Sequence, residues 1–314
     1  MELARAVIVD PELPGRLAIR SLPLRAPLPS QALVRVKAIS LNLGEVRRAL
    51  TMAESGWRPG WDLAGVIERA AADRTGPPVG ARVVGFLPAG AWAEAAVVPT
   101  NALAQLPDNV SFAQAATLPV AGLTALYSLE HHGAIIGRRV LVTGASGGVG
   151  HLAVELANQA GAIVVASVRR AEREKHARAA GAHEVVVGED PALAAKLGPY
   201  DLILESLGGN SLGAAMKMIA PGGMCVLYGV SASSEVTFDA ATFMRTGGAR
   251  LYGFILFHEI LHRPAAQGLS RLVEMVVGGR LHPQIELEAP FEQIAEVAAR
   301  LYNRDIAGKA VLHL

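Results

Sequence analysis

A glycine-rich turn in the middle of the chain constrains its fold more than any other feature of the sequence. An apolar strand runs into this turn, and an amphipathic helix follows it directly. The glycines let backbone N–H groups approach a pyrophosphate, and the helix N-terminus stabilises its negative charge. The residues predicted to form this dinucleotide cradle are Gly144, Ala145, Ser146, Gly147, Gly148, Val149 and Gly150.

The pattern Ala145-x-Gly147-x-x-Gly150 departs from the strict G-x-G-x-x-G spacing only at its first position, where alanine adds one methyl group. A tight turn that binds no ligand is the alternative interpretation. The strand before the turn and the helix after it favour the dinucleotide site.

Strand-like and helical runs alternate on both sides of this turn. Apolar residues between 149 and 160 recur on one helical face, which predicts an amphipathic helix. The alternation predicts a parallel sheet with helices on both faces. The predicted strands are 140–143, 163–167, 184–187, 202–204, 224–228 and 251–254, and two amphipathic helices and a last strand at 310–314 follow them.

The first third of the chain has a different pattern of short strands broken by turns. Residues 32–38 alternate with a period of two, which predicts a half-buried strand. Further short apolar runs at 64–67, 82–86 and 92–98 predict a compact β domain, a barrel among the possibilities. Ser111 and Gln114 have capping-box spacing, so a helix is expected to start there.

Composition excludes several classes of function. The 314 residues are 51% hydrophobic and carry a net charge of +1, so no overall field attracts nucleic acid or a membrane surface. The single cysteine, Cys225, lies in an apolar run and predicts packing rather than a disulfide. We see neither a signal peptide nor a transmembrane segment and expect a cytoplasmic enzyme.

The end of the second strand of the parallel sheet bears on the type of nucleotide. Proteins that bind NAD place an acid there, on the ribose hydroxyls. This chain has no carboxylate at that point, and its hydroxyl and guanidinium groups suit the 2′-phosphate of NADPH. Solvated basic residues at the head of a surface helix are the alternative. The residues concerned are Ser167, Arg169, Arg170 and Arg173.

Two other motifs in the sequence suggest different enzyme classes. The glycine turn also matches short-chain dehydrogenases, but no tyrosine is followed by lysine at the Tyr-x-x-x-Lys spacing that those enzymes use. His258-Glu259-x-x-His262 matches the zinc protease motif. It lies between a predicted strand and Pro264, so we interpret it as a short polar turn or helix end.

Over nearly its whole length the chain resembles the zinc-free quinone oxidoreductases of the medium-chain dehydrogenase/reductase superfamily. The resemblance rests on residues 33–38, Ser40-Leu41-Asn42, residues 59–66, residues 118–125, the glycine turn and residues 308–312. It implies a GroES-like β barrel from residues 1–114 and 255–314, with a Rossmann domain at 115–254. The fold class is therefore α/β, a barrel plus a doubly wound parallel sheet.

The resemblance also implies where the cofactor lies. Asn42 and Thr124 are expected near the nicotinamide, the glycine turn at the pyrophosphate and Arg304 near the adenosine. Loops after later strands are expected along the cofactor, namely Leu207-Gly208, Tyr228-Gly229-Val230 and Phe254-Ile255-Leu256. A homodimer is a further family expectation.

No metal is expected, because the loops that carry zinc ligands in related alcohol dehydrogenases read Leu41-Asn42 and Gly60-Trp61-Asp62. Related enone reductases often carry a tyrosine proton donor just beyond the asparagine. This chain has Glu45-Val46-Arg47-Arg48 there, so no catalytic acid is assigned. The aromatic residues Trp57, Trp61, Phe86 and Trp92 either line a substrate pocket or belong to the barrel core.

The sequence therefore predicts a zinc-free NADPH-dependent enzyme that passes hydride to a small-molecule acceptor, a quinone or an α,β-unsaturated carbonyl. A non-catalytic NADPH-binding redox sensor or structural protein is the alternative, supported by the irregular segment at 45–48. Zinc-dependent alcohol oxidation is a more distant third.

Overall fold

The structure, a computed structural model, describes residues 2–314 and divides the chain into two units. The first unit comprises the residues up to Leu123 together with Ile260–Leu314, and the second is Thr124–Glu259. Among the residues described, no helix is long and apolar enough to cross a membrane.

The opening part of the chain is mostly strands, as its pattern of short apolar runs broken by turns predicts. Ser111 caps a helix there, because its hydroxyl accepts from Gln114 N at 3.1 Å, which confirms the predicted start. The elements are β1 (Leu3–Val9), β2 (Leu17–Pro23), β3 (Gln31–Leu41), α1 (Leu43–Thr51), β4 (Asp62–Arg69), β5 (Arg82–Phe86), β6 (Ala95–Pro99), β7 (Leu103–Gln105) and α2 (Phe112–Ala116).

The remainder alternates strands and helices and then closes with strands of the first unit. Its elements are α3 (Pro119–Glu130), β8 (Arg139–Val142), α4 (Gly148–Gln159), β9 (Ile163–Val168), α5 (Glu174–Ala179), β10 (Glu184–Val187), β11 (Tyr200–Glu205), α6 (Gly209–Met218), β12 (Ile219–Leu227), α7 (Ala240–Arg245), β13 (Arg250–Gly253), α8 (Leu256–Glu259), α9 (Ala265–Val277), β14 (Ile285–Pro290), α10 (Ile294–Tyr302) and β15 (Lys309–His313). All seven strands predicted beyond residue 139 are present, with ends that differ by up to five residues.

The second unit contains a parallel six-stranded sheet in the order β10-β9-β8-β11-β12-β13. This is the Rossmann order, and it confirms the predicted doubly wound fold. The order reverses between β8 and β11, and ligands of such sheets bind beyond the carboxyl ends of the strands at this point. The fold thereby brings the loops after β8, β9, β11, β12 and β13 to one edge.

The first unit contains a seven-stranded sheet that joins distant parts of the chain. Its path is β14-β15-β3-β4-β5-β7, with β6 paired to β3, and β1 and β2 form a separate hairpin. The late strand β15 pairs antiparallel with β3, placing Ala310 opposite Leu41. This register brings residue 309 next to the end of β3.

Two expectations about the first unit are corrected by its packing. Strand β3 was expected to have one exposed face, but only Arg35 and Lys37 on it are not buried. At Leu33 the expected exposed face is covered, because Leu33 packs in a cluster with Ala4 and Ala95. The strand expected to begin at Trp92 begins instead at Ala95.

The four aromatic residues expected either in a pocket or in the barrel core differ in burial, and Trp61 is half-buried. Trp92 and Phe86 are buried completely or nearly so, and Trp92 belongs to the main apolar cluster, so these two are core residues. Trp57 is half-buried against that cluster, and the guanidinium of Arg48 lies 4.5 Å from the centre of its ring.

Candidate functional site

The glycine turn between β8 and α4 depends on its glycines for steric reasons. A Cβ on Gly150 would lie 2.3 Å from the carbonyl oxygen of Gly144 and 2.7 Å from Ala145 Cα, both backbone atoms that cannot move aside cheaply. Gly144 has a φ of +59°, a conformation that other residues rarely adopt. Gly147 N donates to Gly144 O at 2.9 Å and closes the turn.

The N-terminus of α4 fits an anion. Helix α4 begins at Gly148 with Gly147 as its N-cap, and within residues 2–314 no side chain caps it. The first backbone N–H groups of a helix have no partner inside the helix, and they carry its positive end. A cradle that excludes side chains and presents these groups matches the diphosphate of a dinucleotide.

The loop after β11 is bonded directly to the glycine turn. Ser206 N donates to Thr143 Oγ1 at 3.0 Å, and Ser206 Oγ donates to Thr143 O at 3.2 Å. A Cβ on Gly144 would lie 2.7 Å from Ser206 Oγ. The predicted residues Leu207 and Gly208 therefore follow a segment that touches the cradle.

Glu205, at the end of β11, organises that loop. Its carboxylate accepts from Leu207 N at 2.7 Å, from Gly208 N at 3.0 Å and from Ser211 Oγ at 3.0 Å. Burial raises the pKa of Glu205, while these three bonds oppose the rise. Glu205 has no role among the predictions from the sequence, although an acid at the end of a buried strand is a signal for one.

The loops after β12 and β13 continue along the same edge. Ala232 N donates to Leu207 O at 2.8 Å, so the segment following Tyr228, Gly229 and Val230 lies against the loop after β11. Burial raises the pKa of the Tyr228 phenol, so this group remains neutral. The structure thus brings these three predicted residues close to Leu207 and Gly208.

Three further predicted residues, Phe254, Ile255 and Leu256, follow β13. Phe254 N donates to Leu227 O at 2.8 Å, which anchors the segment to the end of β12. Phe254 and Leu256 are buried, whereas Ile255 is 61% exposed. Ile255 is therefore the residue of the three that a ligand can reach most easily.

The end of β9 carries the basic residues predicted for a 2′-phosphate. Ser167 O accepts from Ala145 N at 3.0 Å, which fixes the strand end beside the cradle. Arg169 and Arg170 are exposed just beyond it, and Arg173 is half-buried. The nearby acid Glu174 is bound to Arg178 at 2.9 Å, on the following helix turn.

A buried polar cluster lies in the first unit, around the predicted residue Asn42. We call Asn42, Glu45, Asp62 and Lys309 the Asn42 cluster. Asn42 Nδ2 donates to Glu45 Oε1 at 2.9 Å and to Asp62 Oδ2 at 2.8 Å, and Lys309 Nζ donates to Asn42 Oδ1 at 2.7 Å. Glu45 and Asp62 are fully buried, and Lys309 is 4% exposed.

The charges of this cluster are unequal. Burial and the negative charge of Asp62 raise the pKa of Glu45 well above its usual range, which favours its neutral, protonated form. Burial also raises the pKa of Asp62, but Lys309 at 3.2 Å opposes that rise and favours the carboxylate. The cluster therefore combines the Lys309–Asp62 ion pair with a carboxyl group, Glu45, whose neutral form is favoured.

The segment 45–48, expected to be irregular, lies within the regular helix α1. Glu45 Oε1 accepts from the backbone N–H of Asn42 at 2.9 Å, as in a capping box. The spacing Asn42-x-x-Glu45 is the signal that would have predicted this contact. Asp62 and Lys309 each directly precede an apolar strand sequence, which is a weaker signal.

Two other predicted residues lie apart from the glycine turn in the chain. Thr124 is buried in α3. Arg304 lies in a turn just after α10, in the first unit, with a φ of +68°. Their assignment to the nicotinamide and adenosine ends stays a prediction.

The H-E-x-x-H match does not form a single helical turn. Helix α8 ends at Glu259, whose carboxylate accepts from the Tyr252 hydroxyl at 2.6 Å and lies 3.0 Å from His131 Nε2. This confirms the interpretation as a helix end. Among residues 2–314, no three or more His, Cys, Asp or Glu side chains form a group that could hold a metal ion.

Two family models match the chain. Residues 28–108 match the alcohol dehydrogenase GroES-like domain, and residues 148–274 match the zinc-binding dehydrogenase model. The first matched segment lies in the first unit, and the second begins at the glycine turn.

Individual relatives point the same way. The chain is 35% identical over 265 residues to the spectinabilin polyketide synthase system protein NorB of Streptomyces orinoci, covering 82% of this chain but only 12% of that protein. It is 27% identical to a 2-haloacrylate reductase of a Burkholderia species, covering 98% of each. The crystal structure of a Pseudomonas syringae quinone oxidoreductase matches with a TM-score of 0.88 at 27% identity, covering 99% of this chain and 100% of that one.

Proposed function

Because this chain belongs to the quinone oxidoreductase-like group of the medium-chain dehydrogenase/reductase superfamily, we propose that it is an NADPH-dependent, zinc-free reductase of quinones or α,β-unsaturated carbonyls. The observation that carries the proposal is the cradle at Gly144 to Gly150, which a side chain at Gly150 would close. The relatives named above include a quinone oxidoreductase and an acrylate reductase, which supports this class of acceptor.

The cofactor would be held by residues already described. The N–H groups at the start of α4 would bind the diphosphate, and Glu205 would hold the loop 206–208 in place beside it. Ser167, Arg169, Arg170 and Arg173 would bind the 2′-phosphate. When bound, the reduced nicotinamide supplies the hydride.

The chemistry of the donor set supports zinc-free activity. Asp62 accepts from Val120 N through Oδ1, and from Asn42 and Lys309 through Oδ2. The Lys309 ammonium, 3.2 Å from Asp62 Oδ2, competes with a metal ion for the lone pairs of this carboxylate oxygen. A metal assay on purified protein, with activity measured before and after a chelator, tests this part of the proposal.

The experiment that tests NADPH binding compares NADPH and NADH by calorimetry in the wild type and in an Arg169→Ala/Arg170→Ala variant. Each lost charge-assisted hydrogen bond is worth about 1.5–3 kcal/mol, so NADPH binding should weaken by at least about tenfold while NADH binding stays unchanged. Arg178→Ala is the matched control, because this surface arginine is bound to Glu174. An equal effect of both variants would contradict the assignment.

Turnover separates the enzyme from the non-catalytic alternative. We expect oxidation of NADPH, followed at the nicotinamide absorbance band, with members of a panel of quinones and enones. NADPH binding without turnover of any acceptor would favour the redox sensor or structural protein instead.

A further inference from the structure

Arg58 lies in a segment of the first unit whose backbone is held on both sides. Trp57 O accepts from Val9 N at 2.8 Å, at the end of β1, and Pro59 O accepts from Gly90 N at 3.2 Å, in the loop before β6. Because its two neighbours are bonded to separate elements, the backbone of Arg58 has little freedom. The side chain is half-buried, so its guanidinium group stays close to this part of the surface.

The guanidinium group of Arg58 is not compensated inside the protein. Its Nε is buried and has no hydrogen-bond partner among residues 2–314, and no carboxylate of these residues forms an ion pair with it. A partly buried charge without a partner is costly, and buried charges in proteins are normally paired. Burial accordingly lowers the pKa of Arg58.

Other half-buried arginines of the first unit show what such a partner looks like. Arg16 donates to Ala53 O at 2.6 Å, and Arg35 donates to Glu68 Oε1 at 2.9 Å. Arg58 differs from both, because no carbonyl or carboxylate oxygen in the described part of the chain accepts from it. Its surroundings therefore lack an acceptor that a molecule from outside the chain can supply.

A second guanidinium group lies near that of Arg58. Arg25, in the loop after β2, is exposed. After burial, the positive charge of Arg25 is the second cause that lowers the pKa of Arg58, so the two charges are close in space. Within residues 2–314, Arg25 has no carboxylate as an ion-pair partner either. Two like charges repel each other, and an anion bound between them offsets this repulsion.

The chain around Arg58 adds to the positive field. Residues 47–58 contain three arginines and one acid, Glu54, which is exposed. One of these arginines, Arg48, places its guanidinium 4.5 Å from the ring centre of Trp57, the residue directly before Arg58. A local excess of positive charge raises the concentration of anions near it.

We propose that Arg58 and Arg25 form a binding site for the oxyanion group of a small molecule, a carboxylate or a phosphate. Guanidinium groups bind both through charge-assisted hydrogen bonds, often two to one oxyanion. Because Arg58 Nε is buried, the ligand contacts the Nη atoms. Both arginines belong to the first unit, so the site goes beyond the proposed function and does not depend on NADPH.

Nuclear magnetic resonance of 15N-labelled protein detects this binding directly. The Nε–H signal of Arg58 is assigned by its loss in Arg58→Met. It should shift to saturation when sodium phosphate or sodium acetate is added, and sodium chloride at the same ionic strength should not reproduce the shift. Saturation with one of the two anions alone identifies the ligand class as phosphate or carboxylate. A shift with neither, or the same shift with chloride, would overturn the proposal.

Arg25→Met distinguishes a site of two arginines from a single charge. It removes a charge-assisted hydrogen bond, so the affinity for whichever anion saturates the Arg58 signal should fall at least about tenfold. Arg300→Met, which replaces an exposed arginine of α10 in the same unit, is the matched control and should leave this affinity unchanged. If Arg25→Met also leaves it unchanged, or both variants lower it equally, the two arginines do not form a site.

Unfolding in urea gives an independent measurement. The same anion should raise the urea midpoint of the wild type and of Arg300→Met, because a ligand of the folded state stabilises that state. It should leave the midpoint of Arg58→Met unchanged, and an equal increase in all three proteins would overturn the proposal. Should Arg58→Met fail to fold, Arg58→Lys, which also lacks the Nε–H signal, serves for the assignment, and the titrations of the wild type and Arg25→Met decide the proposal.

Discussion

Replacing Glu45 by glutamine removes the acid that burial keeps neutral inside the Asn42 cluster. In the folded protein the pKa of Glu45 is raised well above its usual range, by burial first and by the charge of Asp62 second. In the unfolded chain the pKa returns to about 4.3. Between these two values the folded protein keeps a proton that the unfolded chain releases, so the free energy of unfolding falls as pH rises.

The size of the effect follows from this linkage. The stabilisation from protonated Glu45 is complete below about pH 4.3 and is lost as pH rises towards the folded pKa, by about 1.4 kcal/mol per pH unit. Glutamine cannot release this proton. It keeps the acceptor for Asn42 N and Nδ2, but it replaces the single unpartnered O–H of protonated Glu45 by an NH2 group with one more unpartnered donor, which costs about 1 kcal/mol.

Glu45→Gln is therefore expected to be about 1 kcal/mol less stable than the wild type at pH 4. At two pH units above 4.3, the free energy of unfolding of the wild type has fallen by up to about 2.7 kcal/mol. The variant is then the more stable protein, by up to about 1.7 kcal/mol. Urea unfolding between pH 4 and pH 8, followed by tryptophan fluorescence, measures this crossover. All three tryptophans, Trp57, Trp61 and Trp92, lie in the same unit as Glu45.

Glu54→Gln is the matched control, because Glu54 lies close to the end of α1 but is exposed. Its free energy of unfolding should change with pH as that of the wild type does. If Glu45→Gln shows the same slope as the wild type from pH 4 to pH 8, then Glu45 is not held protonated, and our account of the cluster is wrong.

Three further substitutions test the packing of the two sites. Lys309→Met leaves the buried carboxylate of Asp62 without its cation and should lower the free energy of unfolding by about 3–5 kcal/mol, measured with urea. Gly150→Ala places a methyl group 2.3 Å from Gly144 O, so we expect about 1–3 kcal/mol of strain and loss of NADPH binding by calorimetry. Glu205→Ala leaves three donors without an acceptor and should cost about 1 kcal/mol or more for each by thermal unfolding.

Each of these three variants has a matched control, a similar substitution that leaves the contact in question intact. Lys37→Met changes an exposed lysine of the same sheet, and Gly253→Ala adds a Cβ with no atom within 4 Å. Glu205→Gln keeps an acceptor for the loop amides, so its loss should stay within about 1 kcal/mol. A control as damaging as its partner variant would refute the explanation given for that site.

The parallel sheet was predictable because its signals are local. The apolar run before Gly144 and the apolar helical face after the turn predict a strand, a turn and a helix within 21 residues of sequence. In the structure the strand is β8 and the helix is α4. The strand at 184–187 was predicted to the residue. The covering of β3 on both faces was missed, because Leu33 is buried by strands that begin 30 residues before it and more than 60 after it.

The Asn42 cluster could not have been predicted in full. Lys309 and Asn42 are separated by 267 positions, and no local sequence pattern around either residue predicts that the two are in contact. Asp62 and Lys309 stood within the segments that carry the family resemblance, yet their contact depends on the register of β15 against β3. Likewise, Glu205 directly follows a predicted strand, but its three donors come from the next loop and from α6, and only the fold brings these to the carboxylate.

The pairing of β15 with β3 sets an order of events during protein synthesis. A ribosome adds about 5–20 residues per second, so Lys309 emerges roughly 13 to 53 s after Asn42. Until Lys309 emerges, Glu45 and Asp62 have no cation and remain hydrated, although the second unit, whose residues are continuous in sequence, is complete as soon as Glu259 has been added. The nascent first unit therefore keeps a strand position on β3 unfilled until β15 has been synthesised.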